Sequence, residues 1–253
     1  MPLLFAQVGK SLLRRTDDGR VLNWNVDDDD SLCTLQEAFE KIDPRLGFNI
    51  ELKFIDHAVY LTRDLTRALE AVLKVVYEHA NGRPIIFSTF QPDAAQLLRK
   101  LQTAYPTTCS PVPWNQVFFL TTGGTETSDD VRRNSLDEAI KLCLASGLQG
   151  IVSDVKGVFR NPSAVPSIKA SNLSLLTYGR LNNVPEAVYL QHLMGVDGVI
   201  VDLVEEITEA VSDFITPTSV AGEPRQVKVR ARPNFSQREL SFLLKLVPEL
   251  VQH

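Results

Sequence analysis

Six short apolar runs, each followed by a stretch of helical periodicity, constrain this 253-residue chain more than any other feature. They are FNIELKF (48–54), PIIFSTF (84–90), VFFLTTG (117–123), GIVSDV (150–155), LSLLTYG (173–179) and DGVIVDLV (197–204). The runs are rich in β-branched and aromatic residues and do not alternate cleanly between polar and apolar. That is the pattern of strands covered on both faces by crossover helices, which predicts a parallel sheet. The spacing suits a (β/α) barrel, which normally closes with eight units; only six are visible. A doubly wound open sheet of six strands also fits the count, and ranks second because no glycine-rich turn follows the first run.

Helix starts are signposted. Thr34 with Glu37 and Ser135 with Glu138 have the spacing of a capping box. Asn183, ahead of Pro185 and Glu186, marks a third start. Across 61–80, Leu65, Leu69, Val72, Leu73 and Val76 fall on one helical face and are expected in the core. Residues 1–30 read as an N-terminal loop or hairpin segment, turning at Asp17, Asp18 and Gly19 and followed by the acidic run Asp27 to Asp30. Residues 31–216 read as the partial barrel. Residues 217–253 read as a Pro-rich, basic linker with one amphipathic helix near 236–251.

Composition narrows the partners. A net charge of −5 supplies no positive field for nucleic acid or an anionic membrane surface. Cys33, Cys109 and Cys143 are odd in number and lack CxxC spacing, which argues against a disulfide framework or a zinc site. No apolar run reaches the roughly 20 residues of a membrane helix, so no transmembrane segment is expected. The loop TTGGTETSDD lacks the Lys-Ser/Thr of a phosphate-cradling P-loop and reads as a flexible barrel loop.

Glu51 and Lys53 carry the chemistry. Two residues apart near the end of the first run, they point to the same side, toward the C-terminal rim where barrels keep their active sites. An acid and a base buried together are expensive unless used; a structural ion pair, or a strand end wet enough for two charges, is the competing account.

The stretches TLQEAFEKIDPRLGFNIELKF, RPIIFSTFQPDAA, RRNSLDEAIKLCLASGLQGIVSDVK, LSLLTYGRLNNVPEAVY and HLMGVDGVIVDLVEEI together resemble the glycerophosphodiester phosphodiesterase family, most closely its plant members. The resemblance implies an α/β fold, a partial (β/α)8 TIM barrel of the phospholipase-C-like phosphodiesterase type with about six βα units. It also implies metal-dependent hydrolysis of glycerophosphodiesters to sn-glycerol 3-phosphate and an alcohol, with Mg²⁺ or Ca²⁺ as cofactor. Under it Glu51 is one carboxylate ligand of the metal, Lys53 contacts the phosphate, and Phe90 and Tyr178 pack against the glycerol moiety. Plant relatives occur in cytosol and plastid, so a cytoplasmic location is expected, with the plastid as alternative.

The sequence also departs from the family. Relatives open with a His-Arg-Gly strand, then a Glu and an Asp that complete the metal site, then a His-Asp pair; none of these motifs occurs here. The four histidines do not replace them by position: His57 falls in a loop, His79 near a helix end, His192 within a helix and His253 at the terminus. The resemblance begins near Gly9, which reads as a late start site or an incomplete gene model. The segment 107–116, carrying Trp114, reads as an insertion in a helix-to-strand connection. The chain is accordingly expected to be inactive or weak. The alternative is a non-catalytic partial barrel that self-associates or binds a partner through exposed sheet edges.

Overall fold

The structure, a computed structural model, describes residues 5–6, 12–15, 20–24, 30–31, 33–56, 58–104 and 115–215. The Asp17–Gly19 turn, His57, residues 107–114 of the 107–116 insertion with Cys109 and Trp114, and the 217–253 segment lie outside the described residues. The chain forms two compact units, residues 1–46 with 72–81 and residues 47–71 with 82–253.

In the first unit, β1 (Phe5–Ala6) pairs antiparallel with β4 (Asp30–Ser31), and β2 (Leu12–Arg15) with β3 (Val21–Trp24) in the register Leu12↔Trp24. Helix α1 (Leu35–Lys41) starts on the expected capping box: Thr34 Oγ1 accepts from Glu37 N at 3.2 Å, and Glu37 Oε2 accepts from Thr34 N at 2.8 Å. Helix α2 (Thr62–His79) runs from the second unit into the first; along it Leu65, Leu69, Leu73 and Val76 are buried and Val72 is half-buried.

The second unit holds six parallel strands: β5 (Phe48–Glu51), β6 (Ile85–Thr89), β7 (Asn115–Thr121), β8 (Gly150–Asp154), β9 (Ser174–Tyr178) and β10 (Gly198–Val199). Their order in the sheet follows the chain without reversal. A doubly wound sheet reverses direction at a switch point; this one does not, so its right-handed crossovers all return on one side, as in an arc of a (β/α) barrel. Among the described residues β5 and β10 are the two edges.

Helix α3 (Pro92–Ala104) packs on β6 and β7, α4 (Leu136–Ser146) on β7 and β8, α5 (Val155–Arg160) on β8, and α6 (Ala164–Ala170) on β9. Helices α7 (Pro185–Met194) and α8 (Val204–Ile215) pack on each other. Phe87, Val117, Phe119, Ile151 and Leu175 are buried on one face of the sheet. On the other, Phe118, Leu120 and Val152 form a cluster with Ile86, Phe90, Leu176 and Tyr178.

Three local readings differ. Ser135 Oγ accepts from Glu138 N, but the Glu138 carboxylate turns to Lys141 Nζ at 2.6 Å, so only half of that capping box forms. Asn183 ends the 3₁₀ turn Arg180–Asn183, and Val184 takes the N-cap position of α7 ahead of Pro185. The Asn183 side chain instead bonds Asp202, accepting from its N–H and donating to its carboxylate. The crossover from β8 to β9 contains two short helices, α5 and α6, where the sequence showed one helical stretch. Among the described residues no helix is long and apolar enough to cross a membrane.

Candidate active site at the strand ends

Parallel register sets which side chains share the site. Asn49 pairs with Ile86 and Glu51 with Ser88, so Glu51 belongs to the face that carries Ile86, Ser88 and, one step on, Phe90. The bond from Ser88 Oγ to Asn49 Oδ1, 3.0 Å, lies on that same face. Leu52 N donates to Ser88 O at 2.8 Å and Thr89 Oγ1 to Leu52 O at 2.8 Å, which carries the alignment past the end of β5 to Lys53.

A cavity of about 690 Å³ opens at these strand ends, a size that suits a small ligand. Glu51, Lys53 and Phe90 all line it. Tyr178 stands behind, its ring edge-on to Phe90 with centroids 6.2 Å apart. The structure thus brings three of the sequence-derived candidates into one wall and buttresses it with the fourth.

The burial argument for Glu51 and Lys53 does not hold. Their side chains are 38% and 78% exposed and meet as a solvated pair with Nζ 3.7 Å from Oε2. The reason is topological: among the described residues β5 is an edge strand with one neighbour, so its inward face is wet. A pair this exposed adds little stability.

The cavity wall also holds residues to which the sequence reading gave no role in the site. Between β7 and α4, Ser128, Asp129, Asp130, Val131 and Arg133 line it. This segment is pinned rather than loose: Asn134 Oδ1 accepts from Ser128 N and its Nδ2 donates to Ser128 O. Gly124, at φ +87°, allows the turn, since a Cβ there would stand 2.8 Å from Asn134 O. Thr121 Oγ1 donates to Arg133 O at 3.0 Å, and Tyr178 Oη donates to Thr121 O at 3.3 Å. One buried threonine so ties the aromatic wall to the arginine turn. Location on the rim of a barrel strand was the one signal that could have marked this loop.

The two arginines there are used differently. Arg132 Nε and Nη2 fork onto Asp130, and Nη1 reaches Asp93 at 2.7 Å. The fork holds the Asp130 carboxyl below its ordinary range. Arg133 donates from Nη1 to Asp56 at 2.7 Å, and its guanidinium lies over Phe90, 5.5 Å from the ring centroid.

Asp154 is a further inward acid. It is the register partner of Tyr178, and its Oδ1 caps α5 by accepting from Lys156 N at 2.7 Å. Burial, then the negative charges of Asp154, Glu126 and Glu51, push the Tyr178 phenol above its ordinary value, so it stays a protonated donor at neutral pH. Ile55, Val59 and Val131 leave apolar surface exposed at the cavity mouth. His79 ends α2 and His192 lies in α7 stacked on Tyr189, and neither lines the cavity.

The chain matches the sequence model of the glycerophosphoryl diester phosphodiesterase family over residues 7–206. It is 60% identical over 248 residues to glycerophosphodiester phosphodiesterase GDPD1, chloroplastic, of Arabidopsis thaliana, which takes in 98% of this chain and 65% of the relative. Glycerophosphodiester phosphodiesterase GDPD2 of the same plant is 57% identical over 253 residues, with the same two shares. The chain therefore spans just under two thirds of the length of these relatives. In fold it is similar to the crystal structure of a glycerophosphodiester phosphodiesterase from Parabacteroides distasonis, at TM-score 0.53 and 16% identity, covering 81% of this chain and 83% of that one. The family match runs through the sheet whose strand ends carry the cavity, and on it the chain belongs to the glycerophosphoryl diester phosphodiesterase family, in its plant type.

Proposed function

We propose that the cavity at the strand ends is a glycerophosphodiester site, and that the chain serves hydrolysis of such diesters to sn-glycerol 3-phosphate and an alcohol. The observation that carries the reading is the convergence of Glu51, Lys53 and Phe90 in one cavity wall. The Lys53 ammonium neutralises charge on the phosphoryl oxygens. Phe90, backed by Tyr178, packs against the carbon face of the glycerol. The names of the plant relatives agree with this substrate class.

Family resemblance adds Mg²⁺ or Ca²⁺, with Glu51 as one ligand. When bound, such a cation supplies Lewis-acid stabilisation of phosphoryl charge. A hard cation needs six or more oxygen ligands, counting water. Among the described residues no three carboxylate, imidazole or thiolate groups gather to hold one, and Glu51 is engaged by Lys53. The described residues do not by themselves fit a resident cation, so the chemistry assigned to them is binding and charge neutralisation.

Among the described residues no histidine lines the cavity, and the family's His-Arg-Gly and His-Asp motifs do not occur in the sequence. A missing acid or base typically lowers rate by ~10²- to 10⁴-fold. Isolated, the 253-residue chain is therefore expected to bind glycerol 3-phosphate and to release it from glycerophosphocholine slowly or not at all, with or without Mg²⁺ or Ca²⁺. Turnover of about 1 to 10³ s⁻¹, the ordinary enzyme range, overturns the slow-turnover part. Absence of binding of both diester and product overturns the site itself. The chloroplastic designation of one relative supports a plastid compartment alongside the cytoplasm, which fractionation of the source cells decides.

One observation favours a second reading. Among the described residues β5 and β10 each have a single strand neighbour, and open edges of this kind pair with other chains.

A further inference from the structure

We propose that Arg133 is a second phosphoryl-oxygen contact in this cavity and that Asp56 is its placeholder, displaced when a phosphate arrives. The inference deepens the reading of the cavity as a phosphodiester site and rests on it.

The Arg133 side chain is only 20% exposed, and a guanidinium so covered needs acceptors for its five N–H donors. One donor, on Nη1, goes to Asp56. The other four have no acceptor among the described residues and stay open to water in the cavity, in contrast to Arg132, whose donors are spread over two carboxylates. Phe90 covers one face of the Arg133 guanidinium and leaves its edge for hydrogen bonding. Both Arg133 and Lys53 line the cavity, so an anion within it meets a fork and a point charge.

Asp56 is suited to give way. It follows β5 in the segment that lines the cavity, and its side chain is 62% exposed, so released carboxylate oxygens return to water. An arginine fork takes a phosphoryl group through paired oxygens, whereas Asp56 occupies a single N–H donor of Arg133, so an arriving phosphate displaces one hydrogen bond. The Arg133 backbone stays in place throughout, because Thr121 Oγ1 holds its carbonyl independently of the side chain. Glu51, Asp129 and Asp130 face the same cavity and weaken anion binding, which makes the loss of one further acid measurable.

The test is titration of the full chain with glycerol 3-phosphate and with inorganic phosphate, followed by ³¹P NMR or calorimetry, and with glycerol as the uncharged control. Arg133→Gln is expected to weaken both phosphates about ten- to hundred-fold and leave glycerol unaffected; Arg133→Lys falls between. Asp56→Asn is expected to tighten phosphate several-fold. This opposite sign is the decisive readout, and the exposed position of Asp56 keeps that variant folded. If Lys53→Gln weakens phosphate while the Arg133 and Asp56 variants do not alter it, the cavity stands as a phosphate site and the role of Arg133 is overturned. If Asp56→Asn lowers thermal stability without tightening phosphate, the ion pair is a structural strap and the proposal fails. If the unmodified chain binds neither phosphate, both the proposal and the site reading fall.

Discussion

Asp154 does two things that can be separated, because asparagine keeps one and loses the other. Its Oδ1 caps α5, and its charge bears on Tyr178. Asparagine caps a helix about as well as aspartate, whereas alanine forfeits ~1 kcal/mol. Asp154→Ala is therefore expected to lower unfolding free energy by about that much, and Asp154→Asn hardly at all. Both variants lower the pH at which Tyr178 ionises, which alkaline ultraviolet titration reads. Equal stability loss in the two variants contradicts the capping role. Cys143 is the opposite kind of residue, with nothing to do. Burial pushes its thiol from an ordinary 9.0 up to about 12, and Sγ faces Gly150 O. The folded state then holds a proton that the unfolded state has lost, so stability is full below about pH 9, falls as pH rises, and levels off above about 12. The steepest slope is ~1.4 kcal/mol per pH unit. At pH 8, peptide mapping after alkylation should find Cys33, which is exposed, modified and Cys143 intact.

Two elements meet backbone to backbone where α5 crosses the turn after β7. A Cβ on Gly157 would stand 2.8 Å from the Gly123 Cα and 2.9 Å from Thr122 O, both backbone atoms that cannot swing aside. Gly157→Ala is expected to lower stability by ~1–3 kcal/mol and to disturb the 122–133 turn, and with it phosphate binding at Arg133; chemical denaturation and the same titration measure both effects. At this scale the sequence was legible in part. Apolar runs located all six strands, because a strand covered on both faces leaves a mark within five to eight neighbouring residues. Glu51 and Lys53 were legible because both lie on that mark. Arg133 was not, since its partner Asp56 is 77 residues away and only the sheet brings the two loops together. Asn183 misled for the same reason: locally it resembles a helix cap, but Asp202, between β10 and α8, claims its side chain. The buried hub of Thr177, Asn182 and Gln191, in which Gln191 bonds both of the others and Asn182 reaches Ile200 O, likewise joins β9, α7 and β10 without any local signature.

At the level of the whole molecule, the open edges and the charge act against each other. Along β5, Phe48 and Leu52 donate their N–H groups toward β6, so by alternation Asn49 and Glu51 turn theirs to the edge. A net charge of −5 opposes association, and salt screens it. Sedimentation velocity of the chain is expected to show concentration-dependent association that grows with ionic strength. Asn49→Pro removes one outward donor without breaking the β6 ladder, and is expected to suppress association while the chain stays folded. Persistence of the oligomer in that variant excludes pairing through β5.

The unbroken succession of the six strands bears on how the protein is made. Each strand after β5 that leaves the ribosome finds a neighbour already present, namely the strand of this sheet synthesised just before it. No strand has to be threaded between two earlier ones, and no half-built sheet waits with an internal vacancy for a segment still in the exit tunnel. Folding can keep step with translation, and only the newest strand is at any moment without cover on its growing side.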